Sequence, residues 1–451
     1  MYSEQLETIF KKQKIEIGDR IKFTVNKKEI EGVLMPRPDS GNPNILVVKL
    51  DNGYNIGLEY KEGQIIEKLL QHKKEGFIFP KSKVGTTDSL SKVALLYTGG
   101  TIGSKIDYMT GGVYMLTKPE ELLHEVPELK NIANIEVEHL MSVASEDISY
   151  KEWQVMAKKT ADALNNNAVG VVITHGTDTM HYTSAALSFM IENPKGPIVL
   201  TGAQRSSDRG SSDAFMNLIC STQLASRGSI KEVGICMHGT HSDNYCSFIR
   251  GSKARKMHTS SRDAFKAINS KELAKIYTDG KIEIDNDAII KRSEKMILKT
   301  EFEPKVALIM SYPNSDPEII EYYNKKGYKG LIIEGTGLGH APVSTSHKEY
   351  NWLEAMKNGA ESGMIIGMTS QCLNGRVNGN VYRNGRLIQE TGVVYCEDIL
   401  PEVAYVKLGF LLGNHSKKDA KRLLLKNIAG EITEKTDLEV LHHSLPNNYF
   451  F

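Results

Sequence analysis

Residues 169–184 read VGVVITHGTDTMHYTS, and this stretch decides the fold. Val171, Val172 and Ile173 form a short apolar, β-branched run that ends in Thr174, His175, Gly176, Thr177 and Asp178 before the pattern turns helical. Such a run reads as a buried parallel strand that delivers a hydroxyl and a carboxylate into a strand-to-helix turn. Ligands of open α/β sheets sit outside the carboxyl ends of the strands, so chemistry is expected here. Residues 93–97 repeat the arrangement: an apolar run leads into Thr98, Gly99, Gly100, Thr101, Ile102 and Gly103. Two threonines at two strand ends, one framed by glycines, form the candidate active site.

Around these stretches the chain falls into three parts. Residues 1–88 show a short helical start and then IKFTV (21–25), EIEGVLM (29–35), ILVVKL (45–50) and YNIGLEY (54–60). Asp51, Asn52 and Gly53 join the last two as a hairpin signal, because Asn-Gly accepts the positive φ of a type I′ turn. Short strands with tight turns predict a small SH3-like β-barrel. The segment around Lys73, Lys74, Lys81 and Lys83 reads as a linker. Residues 89–300 alternate strand and helix, which argues for a largely parallel sheet with helices on its faces. There Ser149 and Glu152 make a capping box ahead of Trp153, Met156, Ala157, Thr160, Ala161 and Leu164 at helical spacing. IVLTGAQ (198–204) and VGICMHGT (233–240) read as further units, and Asp279-Gly280 as a hairpin-like turn. From residue 301 to 451 the α/β rhythm restarts. Pro401 is expected in the first turn of a helix running to Leu412, and a last helix is expected to end near Gly430. The tail after Lys435 has no assignment.

At 451 residues the chain can bury a sizeable core. Its 56 Lys and Arg nearly balance its 55 Asp and Glu, so no global field draws nucleic acid or a membrane surface toward it. Any polyanion it serves is then held largely by a partner. The five cysteines (Cys220, Cys236, Cys246, Cys372 and Cys396) contain no CxxC pair, and their odd number argues against a fully paired disulfide framework. They read as reduced, mostly buried residues of a cytoplasmic protein. Glu4, Glu7, Lys11 and Lys12 stand where a signal peptide needs an apolar core, and no apolar run reaches membrane-spanning length.

A threonine hydroxyl is a poor nucleophile unless one group takes its proton and another stabilises the oxyanion. Glycines beside Thr101 let backbone N–H groups approach a substrate, which supplies the second element. Asp178 can orient a base or a substrate ammonium for Thr177. For the base, the segment KARKMHT (253–259) offers two lysines, Lys253 and Lys256, and a lysine desolvated by burial can serve. On the residues alone a blander account stays open. TGGT also suits a tight turn, Thr177 or Asp178 also suits a helix cap, and a lysine in KARK is usually solvated. His175 and His181 read as packing or hydrogen-bonding residues rather than ligands. No HExxH or Cys/His cluster points to a metal, and TGGTIG lacks the spacing of a phosphate-binding loop.

LLYTGGTIGS and VVITHGTDTMHYTSAAL resemble the two signature segments of the asparaginase/glutaminase amidohydrolases, each of which carries a catalytic threonine. SVASEDISYKEW, TGAQRSSDRGSSDAFMNL and KMHTSSRDAF are similar to further blocks of that family in the same order, from about Lys92 to Leu412. The resemblance implies a two-domain asparaginase-like α/β body, with Thr101 as nucleophile and Thr177 and Asp178 as the second threonine and its aspartate. It places Ser145 and Glu146 on the substrate's α-carboxylate and α-amino groups, and Lys256 rather than Lys253 on the catalytic lysine. Tyr114, with Tyr108 as alternative, matches the tyrosine of the loop 104–115, whose Gly111 and Gly112 suit a moving segment. Two departures stand out. Glu146 replaces a frequent glutamine, and GTGLGH (335–340) carries Leu338 and His340 where bacterial asparaginases have asparagines that reach a neighbouring protomer's site.

A β-barrel ahead of this body, together with the SEDI and EDILPEVAYVKL segments, most resembles the family of D subunits of archaeal glutamyl-tRNA(Gln) amidotransferases. That resemblance implies a cytoplasmic glutaminase releasing ammonia from glutamine or asparagine, within a ligase of protein biosynthesis. It implies a homodimer core within a heterotetramer. The partner it implies, the amidotransferase's E subunit, holds ATP and magnesium and makes most of the tRNA contact. No cofactor is implied for this chain. The alternatives are a stand-alone type I L-asparaginase with an extra N-terminal domain, or a degenerate scaffold. The presence of Thr101, Thr177, Asp178 and Lys256 argues against the scaffold.

Overall fold

The computed structural model describes residues 2–25, 28–35, 42–50, 55–69, 89–106, 113–115, 126–207, 209–290 and 295–435. The N-terminal unit opens with helix α1 (Glu4–Gln13), capped by Ser3, whose side chain accepts from the Leu6 N–H. Strands β1 (Arg20–Val25), β2 (Lys28–Leu34), β3 (Ile45–Lys49), β4 (Asn55–Glu59) and β5 (Ile66–Lys68) make an antiparallel sheet in the order β4-β3-β2-β1-β5. β1 to β4 occupy the four expected strands. β5 adds a fifth, which its three residues could not announce because they carry no readable alternation. The apolar core of this unit gathers Leu6, Phe10, Ile21, Phe23, Leu34, Leu46 and Ile66. The expected Asp51-Asn52-Gly53 turn and the linker lysines lie outside the described residues, though β3 and β4 pair antiparallel from Ile45–Glu59 to Lys49–Asn55. Among the described residues no pairing joins β4 to β5, so the sheet is compatible with a barrel-like domain but not closed there.

The next unit begins with β6 (Lys92–Tyr97) and a two-stranded ribbon, β7 (Ser104–Ile106) with β8 (Val113–Met115). There follow β9 (Asn134–His139), α2 (Tyr150–Asn165), β10 (Gly170–Thr174), α3 (Met180–Met190), β11 (Ile191–Glu192), β12 (Ile198–Thr201), α4 (Ala214–Arg227) and β13 (Val233–His238). β9, β6, β10, β12 and β13 lie side by side in that order, all parallel. The capping box at Ser149 and Glu152 is present on α2, whose buried residues are the six expected from spacing. After β13 the sheet turns antiparallel through β14 (Cys246–Arg250), while β15 (Ala254–Lys256) and β16 (Phe265–Ala267) form a separate ribbon. β17 (Ala274–Ile276) and β18 (Ile282–Ile284) complete the eight-stranded sheet across the expected turn at Asp279-Gly280. The connection from β13 to β14 is too short for the crossover helix that a parallel partner requires, so VGICMHGT leads into a hairpin. β19 (Ile297–Leu298) pairs with β11.

The C-terminal unit is a four-stranded parallel sheet of β20 (Val306–Met310), β21 (Gly330–Gly335), β22 (Ile365–Ser370) and β23 (Val394–Tyr395). Its helices are α5 (Glu318–Lys325), α6 (Leu353–Glu361), α7 (Arg383–Glu390), α8 (Pro401–Asn414) and α9 (Lys417–Leu423). Pro401 sits in the first turn of α8 as expected. The last described helix ends at Leu423, not near Gly430. There the backbone carbonyls of Leu424 and Lys426 accept hydrogen bonds from the buried Lys407 ammonium, a use that further helix would have competed with.

α3 and α8 are almost wholly buried and fasten the two sheets into one core. Phe189 and Phe410 stack at 6.0 Å, and one apolar cluster runs from Leu96 and Ile173 to Ile332 and Ile365. Four of the five cysteines are buried, Cys372 is exposed, and all are free. Among the described residues no helix is long and apolar enough to cross a membrane.

Candidate active site

The two threonine loops leave neighbouring parallel strands. β6 and β10 pair in register up to Tyr97 and Thr174, and the Thr98 hydroxyl then donates to the Thr174 carbonyl at 2.6 Å. Gly99 and Gly100 have φ of 107° and 87°, which side chains rarely adopt. A Cβ on Gly100 would also lie 2.6 Å from the backbone of His175 and from the Gly176 nitrogen. The TGGT turn is therefore tight because another backbone presses against it. Thr101 opens a short 3-10 turn, Thr101–Gly103, and is half-buried.

A third loop joins them after β9. Ser145 is buried, and a Cβ on Gly176 would stand 2.8 Å from its Cβ. The Ser145 hydroxyl donates to Glu146 Oε2 at 3.4 Å, and Glu146 is exposed. Thr179 fills the cap position of α3 without capping it; its hydroxyl donates instead to the Ser145 carbonyl at 2.5 Å.

Lys256, the last residue of β15, closes the arrangement. Its ammonium donates to Thr177 Oγ1 at 2.8 Å and to Asp178 Oδ1 at 2.7 Å. The Thr177 side chain is buried, and its hydroxyl donates in turn toward Gln204 Oε1 at 3.5 Å. Thr177 and Asp178 are thus engaged with a lysine rather than with the helix terminus, which removes the capping account. The Lys256 side chain is 10% exposed and Asp178 66%, so the triad spans from interior to solvent.

The two lysines of KARK separate cleanly. Lys253 is fully buried and its ammonium lies 2.7 Å from Asp398 Oδ2, far from the solvated state usual for such a residue. Burial pulls its ammonium below the ordinary lysine range, against the opposing pull of Asp398. Arg255 pairs with Glu402. Only Lys256 of these three faces the threonine.

Behind the loops, His175 is a structural hydrogen-bonding residue. Its Nδ1 meets the Gly176 carbonyl at 2.6 Å, so that nitrogen carries the proton. Nε2 then accepts from the Thr183 hydroxyl at 2.8 Å, and Thr183 Oγ1 accepts from Trp153 Nε1 at 3.0 Å. Burial lowers the His175 pKa to about 4, which keeps the ring neutral. His181 is also buried, and burial first, then Arg255 and Lys256, lowers its pKa to about 3. Gln204 is held through its backbone N–H, which donates to both oxygens of buried Asp213 at 3.0 Å. Sequence reasoning passed over Gln204 and Asp213; their place at the end of β12, in TGAQRSSD, was the available signal.

The tyrosine candidates are less fully placed. In β8 the backbone of Tyr114 pairs opposite Lys105, and Tyr108, Gly111 and Gly112 lie outside the described residues. In GTGLGH, Leu338 and His340 lie in the turn after β21, where the His340 and Thr336 backbones bridge.

Two family models cover the body of the chain: asparaginase, N-terminal, over residues 92–290, and glutaminase/asparaginase C-terminal domain over 305–425. A third, the GatD N-terminal domain, matches residues 15–69. The glutamyl-tRNA(Gln) amidotransferase D subunit of Pyrococcus furiosus is 47% identical over 438 residues, covering 96% of this chain and 98% of that one. The chain belongs to the family of glutamyl-tRNA(Gln) amidotransferase D subunits. The D subunit of Sulfolobus acidocaldarius is 46% identical over 423 residues, 93% of this chain and 92% of its own. Among solved structures, the thermostable L-asparaginase from Thermococcus kodakarensis superposes with a TM-score of 0.67 at 30% identity, over 76% of this chain and all of its own. L-asparaginase I from Vibrio cholerae gives 0.66 at 29%, with the same coverage. Members of the D-subunit family are components of a multi-subunit enzyme, and the GatD N-terminal domain match at 15–69 favours that family over a stand-alone asparaginase.

Proposed function

We propose that this chain is the glutaminase subunit of a glutamyl-tRNA(Gln) amidotransferase, releasing ammonia from glutamine (or asparagine) through a threonine acyl-enzyme. The observation that carries it is the Lys256 ammonium bonded to both Thr177 and Asp178, one loop away from Thr101 at the neighbouring strand end. The Thr101 hydroxyl attacks the side-chain amide carbon, and its proton passes to a basic group at the site. Ammonia leaves as the amide nitrogen gains a proton, and water then resolves the ester to glutamate, or to aspartate where asparagine is the donor. Backbone N–H groups of the glycine-framed turn suit the oxyanion. Lys256, Thr177 and Asp178 serve as the proton relay. Ser145 holds the substrate α-carboxylate, and Glu146, exposed and anionic, the α-ammonium. Tyr114, or Tyr108, closes over the site.

The E subunit is the proposed consumer of the ammonia, with ATP and magnesium at its own site, in a cytoplasmic heterotetramer built on a homodimer of this chain. The near balance of charge supports a chain that leaves most tRNA binding to its partner. The test is ammonia release from glutamine by this chain alone, with the partner, and with partner plus glutamyl-tRNA. Stimulation by the complete set is expected; the full assembled rate from the isolated chain would favour the stand-alone asparaginase.

A further inference from the structure

We propose that Glu402 and Asp398, two buried acids of the C-terminal domain, position Lys256 by gripping the strand that carries it, an inference that rests on Lys256 belonging to the relay. Side chains alternate along a strand, so Arg255 and Lys256, neighbours in β15, take opposite faces, and Lys253, in the turn just ahead of the strand, reaches the C-terminal domain on the Arg255 side. On that side Lys253 meets Asp398 and Arg255 meets Glu402, at the start of α8. On the other, Lys256 meets Thr177 and Asp178. The two faces of one short strand thus join the C-terminal domain to the threonine site.

The grip is built, not incidental. Asp398 also accepts from the Thr433 N–H at 3.0 Å and hydroxyl at 2.6 Å, which fixes the carboxylate that receives Lys253. Glu402 lies in the first turn of α8, where the helix favours an anion, although burial pushes its carboxyl up. The other strand of the ribbon is held as well. Asn269, just past β16, accepts from the Gly375 N–H at 2.9 Å and donates to the Gly375 carbonyl at 3.2 Å. Well-packed apolar residues would stabilise this contact at least as well as buried ion pairs. What the pairs add is register. Sliding β15 by one residue would move Lys256 about 3.3 Å and turn it to the wrong face. Misplacement by about 1 Å can already cost a hundredfold in rate.

The experiment measures ammonia release from glutamine by the full chain, with the partner protein and glutamyl-tRNA present, for Glu402→Gln, Asp398→Asn, Arg255→Lys and Lys256→Ala. Expected is a fall in kcat of about tenfold to a hundredfold for Glu402→Gln and Asp398→Asn, with KM for glutamine within about twofold. Arg255→Lys, which keeps the charge, is expected to retain most of the rate. Should either acid variant fail to fold, the Arg255→Met/Glu402→Leu double variant leaves no unpaired charge at that contact and carries the same expectation. Wild-type kcat in a folded acid variant, or in that double variant, overturns the positioning role. So does a loss confined to KM or matched by loss of folded protein in urea titration. Full activity in Lys256→Ala would instead remove the relay reading itself, and with it the proposal.

Discussion

Lys253 and Lys256, three residues apart, carry their ammonium groups to different domains: one lies 2.7 Å from Asp398 Oδ2, the other 2.8 Å from Thr177 Oγ1. Lys256 ends β15 whereas Lys253 stands in the turn just before it, and the two side chains leave in different directions. The two lysines are therefore expected to fail in different ways. Lys253→Ala leaves Asp398 buried without its cation, and removing one partner of a buried pair costs about 3–5 kcal/mol, so its thermal midpoint falls. Lys256→Ala is expected to melt near wild type and to be nearly inactive. Thr177→Ala is expected to match it, and the double variant to be hardly worse, because residues acting as one unit give non-additive losses. Independent, multiplying losses in steady-state kinetics would break the relay apart.

Thr101→Ala is expected to lower turnover of glutamine by several orders of magnitude while leaving circular dichroism and melting unchanged, since Thr101 is half-buried at the start of a single turn. Thr101→Ser keeps a hydroxyl and is expected to keep measurable activity. Near-wild-type ammonia release from Thr101→Ala would remove this residue from the mechanism.

Stability is expected to depend on pH through His175. Its folded pKa of about 4 lies below the ordinary value of 6.5, so between these limits the unfolded chain binds the proton and the folded chain does not. Stability is therefore full above about pH 6.5 and is lost as pH falls toward 4, by on the order of 3 kcal/mol for this group. His181, also held neutral by burial, acts in the same direction. Urea titrations of His175→Gln against wild type at pH 7.5 and 5 check this. The variant's loss of stability between the two pH values is expected to be smaller, and an unchanged difference would count against the assignment.

The ribbon after Thr101 offers a means of control. β7 and β8 pair from Ser104–Met115 to Ile106–Val113, which places the Tyr114 backbone on a ribbon that follows Thr101 directly. Partner and acylated tRNA are expected to favour the closed arrangement, and they can do so only by binding it more tightly. A hundredfold activation corresponds to about 2.7 kcal/mol of coupling. Tyr114→Ala is expected to abolish the stimulation, and Tyr108→Ala to spare it; the reverse result would transfer the role to Tyr108.

Much of this site was legible in the sequence, for physical reasons. Buried parallel strands leave unbroken β-branched runs, which marked β6 and β10, and the polar residues that follow such runs marked Thr101, Thr177 and Asp178. The Ser149–Glu152 box is local chemistry and was visible as such; the Ser149 N–H donates to Glu152 Oε2 at 2.8 Å. The lysine was not legible from spacing, because Lys256 and Lys253 differ only in distant partners; the family resemblance chose between them. Buried charge was hidden for the same reason, since a lysine reads as solvated until its counter-ion is known. Gln204 and Asp213 were missed because their role is to place Thr177 and a backbone turn, which no short motif spells out. The end of the last helix was missed because Lys407, many residues earlier, takes the Leu424 and Lys426 carbonyls just beyond it.

The counter-ions of Lys253 and Arg255 stand 145 and 147 residues further along the chain. On the ribosome, therefore, Thr101, Thr177 and Lys256 emerge well before Asp398 and Glu402 are made. Domains fold largely as they appear, N-terminal first, and the nascent sheet can assemble while two cations of the neighbouring β15 segment still lack partners. If Asp398 and Glu402 position Lys256 as proposed, a growing chain carries the proposed reacting groups before the fixture that aligns them, and glutamine hydrolysis is expected only once translation has passed residue 402.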